Sequence, residues 1–548
     1  MNKMKTIYSV LIFLLFSNHL YAQMDSINVA AQIIGLDFTK DEIQLMKGGI
    51  KEHLGYYESM RKLEIPNALP FSLMFTFPVN QNKIAKTQHP IDWGLEKKVA
   101  MPKNLNDLAF YSISELASLI QKRKITSLEL TKFFLDRLRK YGDTLECVIT
   151  LTDSIALSQA EKADREMASG NYKGLLHGIP YGVKDLLVVD GYKTTFGATP
   201  YQTQMLEGTA TVVKKLEEAG AVLIAKLTLG ALAWGDVWYG GTTRNPWNLE
   251  EGSSGSSAGP ASATAAGLVP FAIGSETWGS IVSPATRCGN TGLRPSYGRV
   301  SKNGAMALSW SMDKLGPICK TAKDCAIVFE VIRGEDGIDL QVQNQPFNYK
   351  YPLAIDKLKI GYLVDEFDRK EGSNHLNDSM SLALLRESGI ELIPKYLPNR
   401  FNPEIISFIL SAEAATAFDD LTRTGKDDLL VRQIENAWPN VFRQARLIPA
   451  VEYIQANRLR YQLVIDFNEM MSDIDVLVAP SFDGDQLLMT NLTGHPCVVL
   501  PNGSYANENP GSLTLLGNHF DEATILAFAQ YLQSITSYEE EHPEMFMN

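Results

Sequence analysis

One lysine and two serines in this chain could together make a nucleophile for acyl transfer. Lys184 lies in the segment Gly178-Ile-Pro-Tyr-Gly-Val-Lys-Asp, and Ser256 and Ser280 lie in a Gly/Ser-rich stretch that begins at Gly252. A serine hydroxyl is a poor nucleophile until a base removes its proton. A lysine serves as that base only when desolvation or nearby positive charge keeps it neutral. Two serines and one lysine can therefore form a proton relay.

The sequence around these residues resembles the amidase signature family. That family has a Gly-Gly-Ser-Ser-Gly-Gly run, then an apolar Ala-rich run, then Gly-Gly-Ser-Ile. The corresponding runs here are Gly255-Ser-Ser-Ala-Gly and Gly279-Ser-Ile, and Asn245-Pro-Trp-Asn and Gly292-Leu-Arg-Pro flank them as further family landmarks. The resemblance extends from about residue 110 to about residue 530.

The resemblance assigns a role to each of the three residues. It implies that Ser280 is the nucleophile, that Ser256 relays its proton and that Lys184 is the general base. It also places the oxyanion hole, the group of N–H donors that holds the developing negative charge, on four consecutive backbone amides. These belong to Thr277, Trp278, Gly279 and Ser280.

Five positions depart from the family pattern. Trp278, Ser254 and Ala258 stand where glycines are common. Val282 stands where an arginine is common, and Gly230 where many members carry a glutamate. None of these changes removes a catalytic side chain.

Two other interpretations of the same residues compete with this one. Local sequence alone favours Lys184 as a strand-end lysine paired with Asp185, because lysine is rarely buried without a partner. Gly255-Ser-Ser-Ala-Gly also matches the G-x-S-x-G elbow of α/β-hydrolases, with Ser257 as nucleophile and His495 or His519 as a partner. An elbow needs a strand directly before it, and residues 245–252 do not look like a strand, so we expect no elbow.

The N-terminal residues are typical of a secretory signal peptide. A basic start is followed by an apolar run over residues 7–16 and by Leu20-Tyr-Ala22 before the expected cleavage site. The apolar run is too short to span a membrane, so we expect no integral span after processing. The predicted organisation is a signal peptide over 1–22, a helical extension and linker over 23–105, and a catalytic domain over 106–548. The mature protein is expected in the periplasm or outside the cell.

Composition excludes some function classes. The formal net charge is −12, and no run of lysine or arginine alternates with aromatic residues, so we expect no nucleic-acid partner. No group of His, Cys, Asp or Glu has metal-ligand spacing, and neither a metal nor an organic cofactor is implied. The five cysteines are widely spaced, and we interpret them as small buried apolar residues. The oligomeric state stays open.

Local patterns predict alternating helices and strands. Ser112 with Glu115, and Thr126 with Glu129, form capping boxes that each begin a helix. Residues 211–219 look like a helix, and the apolar run 222–225 that follows looks like a buried strand, which is an α/β rhythm. The family resemblance implies an α/β fold with a large mixed β-sheet surrounded by helices.

These observations predict a secreted or periplasmic amidohydrolase that cleaves a linear amide through an acyl-enzyme. The substrate is a small-molecule or peptide amide, and fatty, aryl, short aliphatic and peptide C-terminal amides all remain open. One alternative is the A-type component of a glutamyl-tRNA amidotransferase, which the signal peptide disfavours. The other is a non-catalytic binding protein on the same fold, which the intact lysine and serines disfavour.

Overall fold

The structure is a computed structural model that describes residues 26–547 except 61, 64–65, 68, 70–83, 95–98, 370–373 and 506–508. The predicted signal peptide lies outside the described residues. In the predicted extension, residues 26–33 are helical and helix α1 spans Lys40–Met60. The boundary at residue 105 stays a prediction. In the part of the chain that is described, no helix combines the length and apolar character needed to cross a membrane.

A mixed β-sheet forms the centre of the molecule. Its strands are β1 (Val148–Leu151), β2 (Pro180–Lys184), β3 (Val222–Leu227), β8 (Phe271–Glu276), β9 (Thr291–Arg294), β10 (Lys314–Cys319), β11 (Ile360–Leu363), β12 (Leu392–Lys395), β13 (Val476–Pro480), β14 (Cys497–Ser504) and β15 (Pro510–Gly517). Over the described residues the sheet has eleven strands in the order β1-β3-β2-β8-β10-β9-β14-β15-β13-β11-β12. Four shorter strands of the described chain form two small hairpins outside it. The expectation of a large mixed sheet surrounded by helices is confirmed.

Helices of the described residues surround this sheet. They are α2 (Ile113–Gln121), α3 (Ser127–Leu145), α4 (Asp153–Ala168), α5 (Thr211–Glu218), α6 (Ala258–Ala265), α7 (Val282–Cys288), α8 (Ala322–Ile332), α9 (Val364–Phe367), α10 (His375–Glu387), α11 (Phe408–Ala417), α12 (Asp419–Thr424), α13 (Trp438–Ala445), α14 (Ala450–Met471), α15 (Gln486–Thr493) and α16 (Glu522–Thr536). Short 3-10 helices span Leu105–Phe110, Thr199–Tyr201, Ala231–Ala233, Ile355–Lys357, Pro403–Ile406, Lys426–Leu429, Tyr538–Glu540 and Glu544–Phe546.

The local predictions in the first half of the chain are confirmed. Both capping boxes form, with Ser112 and Thr126 each accepting a backbone N–H three residues ahead. Helix α5 is followed by a turn at Gly220, whose φ of +82° only glycine adopts without strain, and then by the buried strand β3. The five cysteines are free thiols and all are buried, as expected.

One local prediction is wrong. Residues 244–252 form a two-stranded antiparallel hairpin of β6 (Arg244–Asn245) and β7 (Asn248–Gly252), where the sequence suggested no strand. A second small hairpin pairs β4 (Val237–Trp238) with β5 (Gly241–Thr242). Neither hairpin belongs to the main sheet. Their residues are mostly half-buried and polar, so they lack the apolar alternation that identifies a strand in sequence.

Strands β2, β8 and β10 bring charged residues to one edge of the sheet. Strands β2 and β8 are parallel neighbours, so both end at the same edge, and β10 begins there because it runs antiparallel to β8 with Lys314 opposite Glu276. All three strands are buried along their whole length. Ligands of open α/β sheets bind outside the carboxyl ends of parallel strands. This edge is therefore where a site is expected.

Candidate active site

Lys184 is the last residue of β2, and its amine lies among serine oxygens. Its Nζ is 2.7 Å from Ser256 Oγ, 3.1 Å from Ser257 Oγ and 2.9 Å from Ser275 Oγ. The lysine side chain is fully buried. The structure thus brings two of the three predicted residues, Lys184 and Ser256, into hydrogen-bond contact.

The environment of Lys184 favours a neutral amine. Burial lowers the pKa of Lys184 well below its ordinary value, and the nearby carboxylates of Asp313 and Glu276 oppose this shift only in part. The groups in hydrogen-bond contact with the amine are neutral hydroxyls and a carbonyl. A neutral amine surrounded by hydroxyls is a chemically competent proton acceptor.

The neighbouring aspartate has a different partner. Asp185 forms a fully buried ion pair with Lys226 of β3, at 2.8 Å between Oδ1 and Nζ, and its other oxygen accepts from the backbone and hydroxyl of Thr195. Lys184 is therefore not the partner of Asp185, and the interpretation that local sequence alone favoured is wrong. The ion pair instead ties the end of β2 to β3.

Ser256 and Ser257 are placed by the turn that leads into α6. The peptide bond between Gly255 and Ser256 is cis. A side chain at Gly255 would overlap the carbonyl oxygen of Gly235, so only glycine fits there. Ser257 donates through its hydroxyl to the Ser275 carbonyl at 3.0 Å, and its backbone N–H donates to the carbonyl of Ser280 at 3.1 Å.

Ser280 lies in the turn between β8 and α7. That turn is adjacent to Ser257 through the backbone hydrogen bond, and the Ser280 side chain is 9% exposed, so it retains some access to solvent. Through this bond Ser280 contacts Ser257, and among the hydrogen bonds of the described residues its hydroxyl is bonded to neither Lys184 nor Ser256. A relay between the two serines needs Ser280 Oγ to approach Ser256 Oγ. Such catalytic hydrogen bonds are often long in ligand-free enzymes and tighten when substrate binds.

Trp278 does not take up the unusual backbone conformation of the turn. The positive φ falls on the next residue, Gly279, at +82°, whereas Trp278 itself does not have a positive φ. The tryptophan is accommodated without strain because its neighbour makes the turn. Its side chain is 42% exposed, and its backbone N–H belongs to the predicted oxyanion segment.

A buried carboxylate that the sequence analysis missed holds this turn in place. Glu276 Oε2 accepts from the backbone N–H groups of Ile281 and Val282, at 2.8 and 3.0 Å, and Oε1 accepts from Arg294 Nη1 at 2.9 Å and Asn491 Nδ2 at 2.8 Å. Burial acts to raise the pKa of Glu276, but Arg294 and other cationic and hydrogen-bonding neighbours overcome it and lower the pKa to about 2. Glu276 is ionised at neutral pH and fixes the backbone directly after Ser280.

A second carboxylate fixes the start of the same turn. Thr277 Oγ1 donates to Asp313 Oδ1 at 2.6 Å, and Asp313 Oδ2 accepts from the backbone N–H groups of Leu308 and Ser309. The turn is thus held at both ends by buried acidic side chains. A charged residue at the end of a strand that begins with apolar residues was the sequence signal available for Glu276.

Comparison with known proteins places this edge in a known family. The Amidase family matches residues 129–486, a range that contains the lysine and all the serines described above. The chain belongs to the amidase family. It is an enzyme that cleaves amide bonds, as the sequence predicted.

Individual relatives are covered over nearly their whole length. The amidase is 31% identical to the A-type component of the glutamyl-tRNA(Gln) amidotransferase of Coxiella burnetii over 485 residues, which are 79% of this chain and 99% of that one. It resembles the native peptide amidase from Stenotrophomonas maltophilia with a TM-score of 0.70 and 26% identity, over 79% of this chain and 98% of that one. A bacterial aryl acylamidase shares the fold, with a TM-score of 0.71 at 20% identity, over 80% of this chain and 98% of that one.

The histidines of the rival elbow interpretation lie elsewhere in the amidase. His495 and His519 lie against each other at 3.7 Å between ring centroids, with their planes tilted by 33°, and both contact Thr493. Burial lowers the pKa of His519 to about 4 and that of His495 well below its ordinary value. Among the described residues, the hydroxyl of Ser257 contacts Lys184 and Ser275, and neither histidine. The strand that an elbow requires does exist as β7, but it ends at Gly252 and belongs to a separate hairpin.

Proposed function

We propose that this protein is a secreted or periplasmic serine amidohydrolase that works through a Lys184–Ser256–Ser280 relay. The observation that carries the proposal is the 2.7 Å contact between a fully buried Lys184 and Ser256, at the same sheet edge as the turn that contains Ser280. The amine of Lys184 is fully buried and, among the described residues, contacts hydroxyls and not a carboxylate. This environment suits a base better than it suits an ion-pair partner.

In the proposed acylation a proton moves from Ser280 through Ser256 to Lys184, and a proton then returns through Ser256 to the leaving nitrogen. Neutral Lys184 takes the hydroxyl proton of Ser256, which takes the proton of Ser280 as Ser280 Oγ bonds to the carbonyl carbon of the amide. Backbone N–H groups of residues 277–280 hold the oxyanion. The C–N bond then breaks as Ser256 protonates the leaving nitrogen and regains a proton from Lys184.

Water completes the cycle by the same path. The relay takes a proton from water as its oxygen attacks the acyl carbon, and Ser280 leaves with a proton returned through Ser256. The products are a carboxylic acid and an amine or ammonia.

The proposed location rests on the N-terminal sequence. Residues 1–22 combine a basic start, an apolar run and a small residue at the cleavage position. The alignment with the Coxiella relative covers 99% of that protein but only 79% of this chain, so the remainder of this chain has no counterpart there. A leader and an extension would account for such a remainder.

The experiment that tests the proposal is hydrolysis by the purified mature protein alone. We expect ammonia release from a panel of primary amides, complete loss in Ser280→Ala and near-normal rates in Ser262→Ala. Ser262 is the control, because it is also a buried serine, and its hydroxyl bonds to the Arg244 carbonyl away from Lys184. Equal activity in the two variants would contradict the proposed nucleophile.

The similarity to the Coxiella relative supports a second candidate, one component of a glutamyl-tRNA amidotransferase. Its chemistry at the serine would be the same, with glutamine as the amide. Glutamine hydrolysis that appears only when the other components of a bacterial amidotransferase are added would favour this candidate. Activity of the isolated chain on other amides would favour the hydrolase.

A further inference from the structure

A cavity of about 130 Å³ adjoins the candidate active site. Its inner wall includes Ser275, whose hydroxyl contacts Lys184, and Thr277, the first residue of the proposed oxyanion segment. Asp313, which anchors Thr277, also lines it. A substrate bound at Ser280 would have this cavity next to its reacting carbon.

The body of the cavity is apolar. Much of its wall is formed by Leu186, Met306, Leu308, Trp310, Leu315 and Ile338. Ile338 is 57% exposed and so marks the outer end, where Lys302 and Asp339 form an ion pair at 3.3 Å. The cavity therefore runs from the oxyanion segment to the surface, with this ion pair at its outer end.

The chemistry of the reaction indicates which part of a substrate enters it. The leaving nitrogen must face Ser256, because that hydroxyl protonates it. Ser256 is not among the described residues that line the cavity, whereas the oxyanion segment contributes Thr277. The substituent that points into the cavity is therefore the one on the acyl side of the carbonyl.

We propose that this cavity binds the acyl group and that the enzyme prefers amides of compact apolar acids, about the size of a benzoyl group. An apolar cavity of about 150 Å³ holds a benzene molecule, so a single ring fills the space here. A methyl group would leave most of it empty, and a fused pair of rings would have to extend past the Lys302–Asp339 ion pair at its outer end. This inference rests on the function proposed above, because it names the substrate class of the same site.

The test compares two series of amides. Acetamide, benzamide and 2-naphthamide vary the acyl group with ammonia as the common leaving group, and acetanilide with N-acetyl-2-naphthylamine varies the amine with a common acetyl group. We expect kcat/KM for benzamide to exceed the values for acetamide and 2-naphthamide by about tenfold to a hundredfold. Size selection in the amine series alone, or no selection in the acyl series, would overturn the inference.

Variants in the wall sharpen the test. Met306→Ala enlarges the cavity, and we expect it to raise the kcat/KM for 2-naphthamide relative to that for benzamide by at least about tenfold. Ala305→Leu reduces the cavity, and we expect it to lower the kcat/KM for benzamide relative to that for acetamide. Met471→Ala is the matched control, because Met471 is fully buried but does not line the cavity. Selectivity ratios in the two wall variants that match the control would contradict the inference.

A binding measurement separates this inference from the proposed function. Titration calorimetry on Ser280→Ala needs no turnover, and we expect benzamide to bind at least about tenfold more tightly than acetamide or 2-naphthamide. Size-selective binding without hydrolysis by the wild type would support the cavity inference and refute the proposed function. Hydrolysis without size selection in either assay would refute the cavity inference alone.

Discussion

Replacing Glu276 by glutamine removes the negative charge that holds the turn after the proposed nucleophile. The carboxylate accepts four hydrogen bonds, from Arg294, Asn491 and the backbone N–H groups of Ile281 and Val282. Glutamine has one acceptor oxygen, and its amide nitrogen donates. Two of the four donors would therefore face another donor, and the buried Arg294 would lose its counter-charge.

The expected loss of stability can be estimated in two ways. Breaking a buried ion pair by removing one partner costs about 3–5 kcal/mol. A pKa of about 2, against 4.5 for an unperturbed glutamate, corresponds to about 3 kcal/mol. Because the pKa is lowered on folding, this stabilisation is full above pH 4.5 and is lost as the pH falls through about 2. Urea unfolding should thus show the largest difference between wild type and Glu276→Gln near pH 7 and a smaller one below pH 4.5.

The effect on catalysis distinguishes positioning from mere stability. Released backbone donors let the turn shift, and a displacement of about 1 Å costs roughly a hundredfold in rate. Glu522→Gln is the matched control, because Glu522 pairs with Arg299, both side chains are fully buried, and neither belongs to the turn. We expect both variants to lose stability and only Glu276→Gln to lose its rate of labelling by a fluorophosphonate under folding conditions. Equal losses of labelling in both variants, or wild-type stability of Glu276→Gln, would refute this reasoning.

The remaining predictions concern the base, the oxyanion segment and the leader. Lys184→Ala should lower kcat/KM by about a hundredfold to ten-thousandfold. The wild-type rate should rise with pH through the lowered pKa of Lys184, because only the neutral amine accepts a proton. A flat pH profile would argue against this role. Trp278→Pro removes a backbone donor and should cost about a hundredfold to a thousandfold in rate, whereas Trp278→Gly keeps the donor and should still be acylated, so equal rates in the two would exclude the donor. N-terminal sequencing of exported protein should give Gln23, and recovery of the full-length chain from the cytosol would count against the leader.

The contact between Lys184 and Ser256 agrees with the sequence prediction, whereas the partner of Asp185 does not. Lys184 stood out as a lysine in an apolar run, and the glycines around Ser256 and Ser280 set the family resemblance. The pairing of Lys184 with Asp185 was wrong for a geometric reason. Consecutive residues at the end of a strand point to opposite faces, so Asp185 meets Lys226 of the adjacent strand instead.

The supporting carboxylates could not be predicted because their partners are distant in sequence. Glu276 contacts Asn491, which lies 215 positions further along the chain, on α15. Asp313 meets Thr277 only because β10 runs back along β8. The 244–252 hairpin was missed because its polar residues carry no apolar alternation. A single sequence does not reveal which residues strand order brings together. It also does not reveal hairpins that lack an apolar pattern.

The most direct test of the account is to find which residue a fluorophosphonate labels in the mature protein. Mass mapping of the labelled peptide should place the modification on Ser280, and Ser280→Ala should take up no label. Ser257 lies in the same site, with its hydroxyl 3.1 Å from the amine of Lys184, so it is the natural competitor. Label on Ser257 with Ser280 unmodified would contradict the proposed relay.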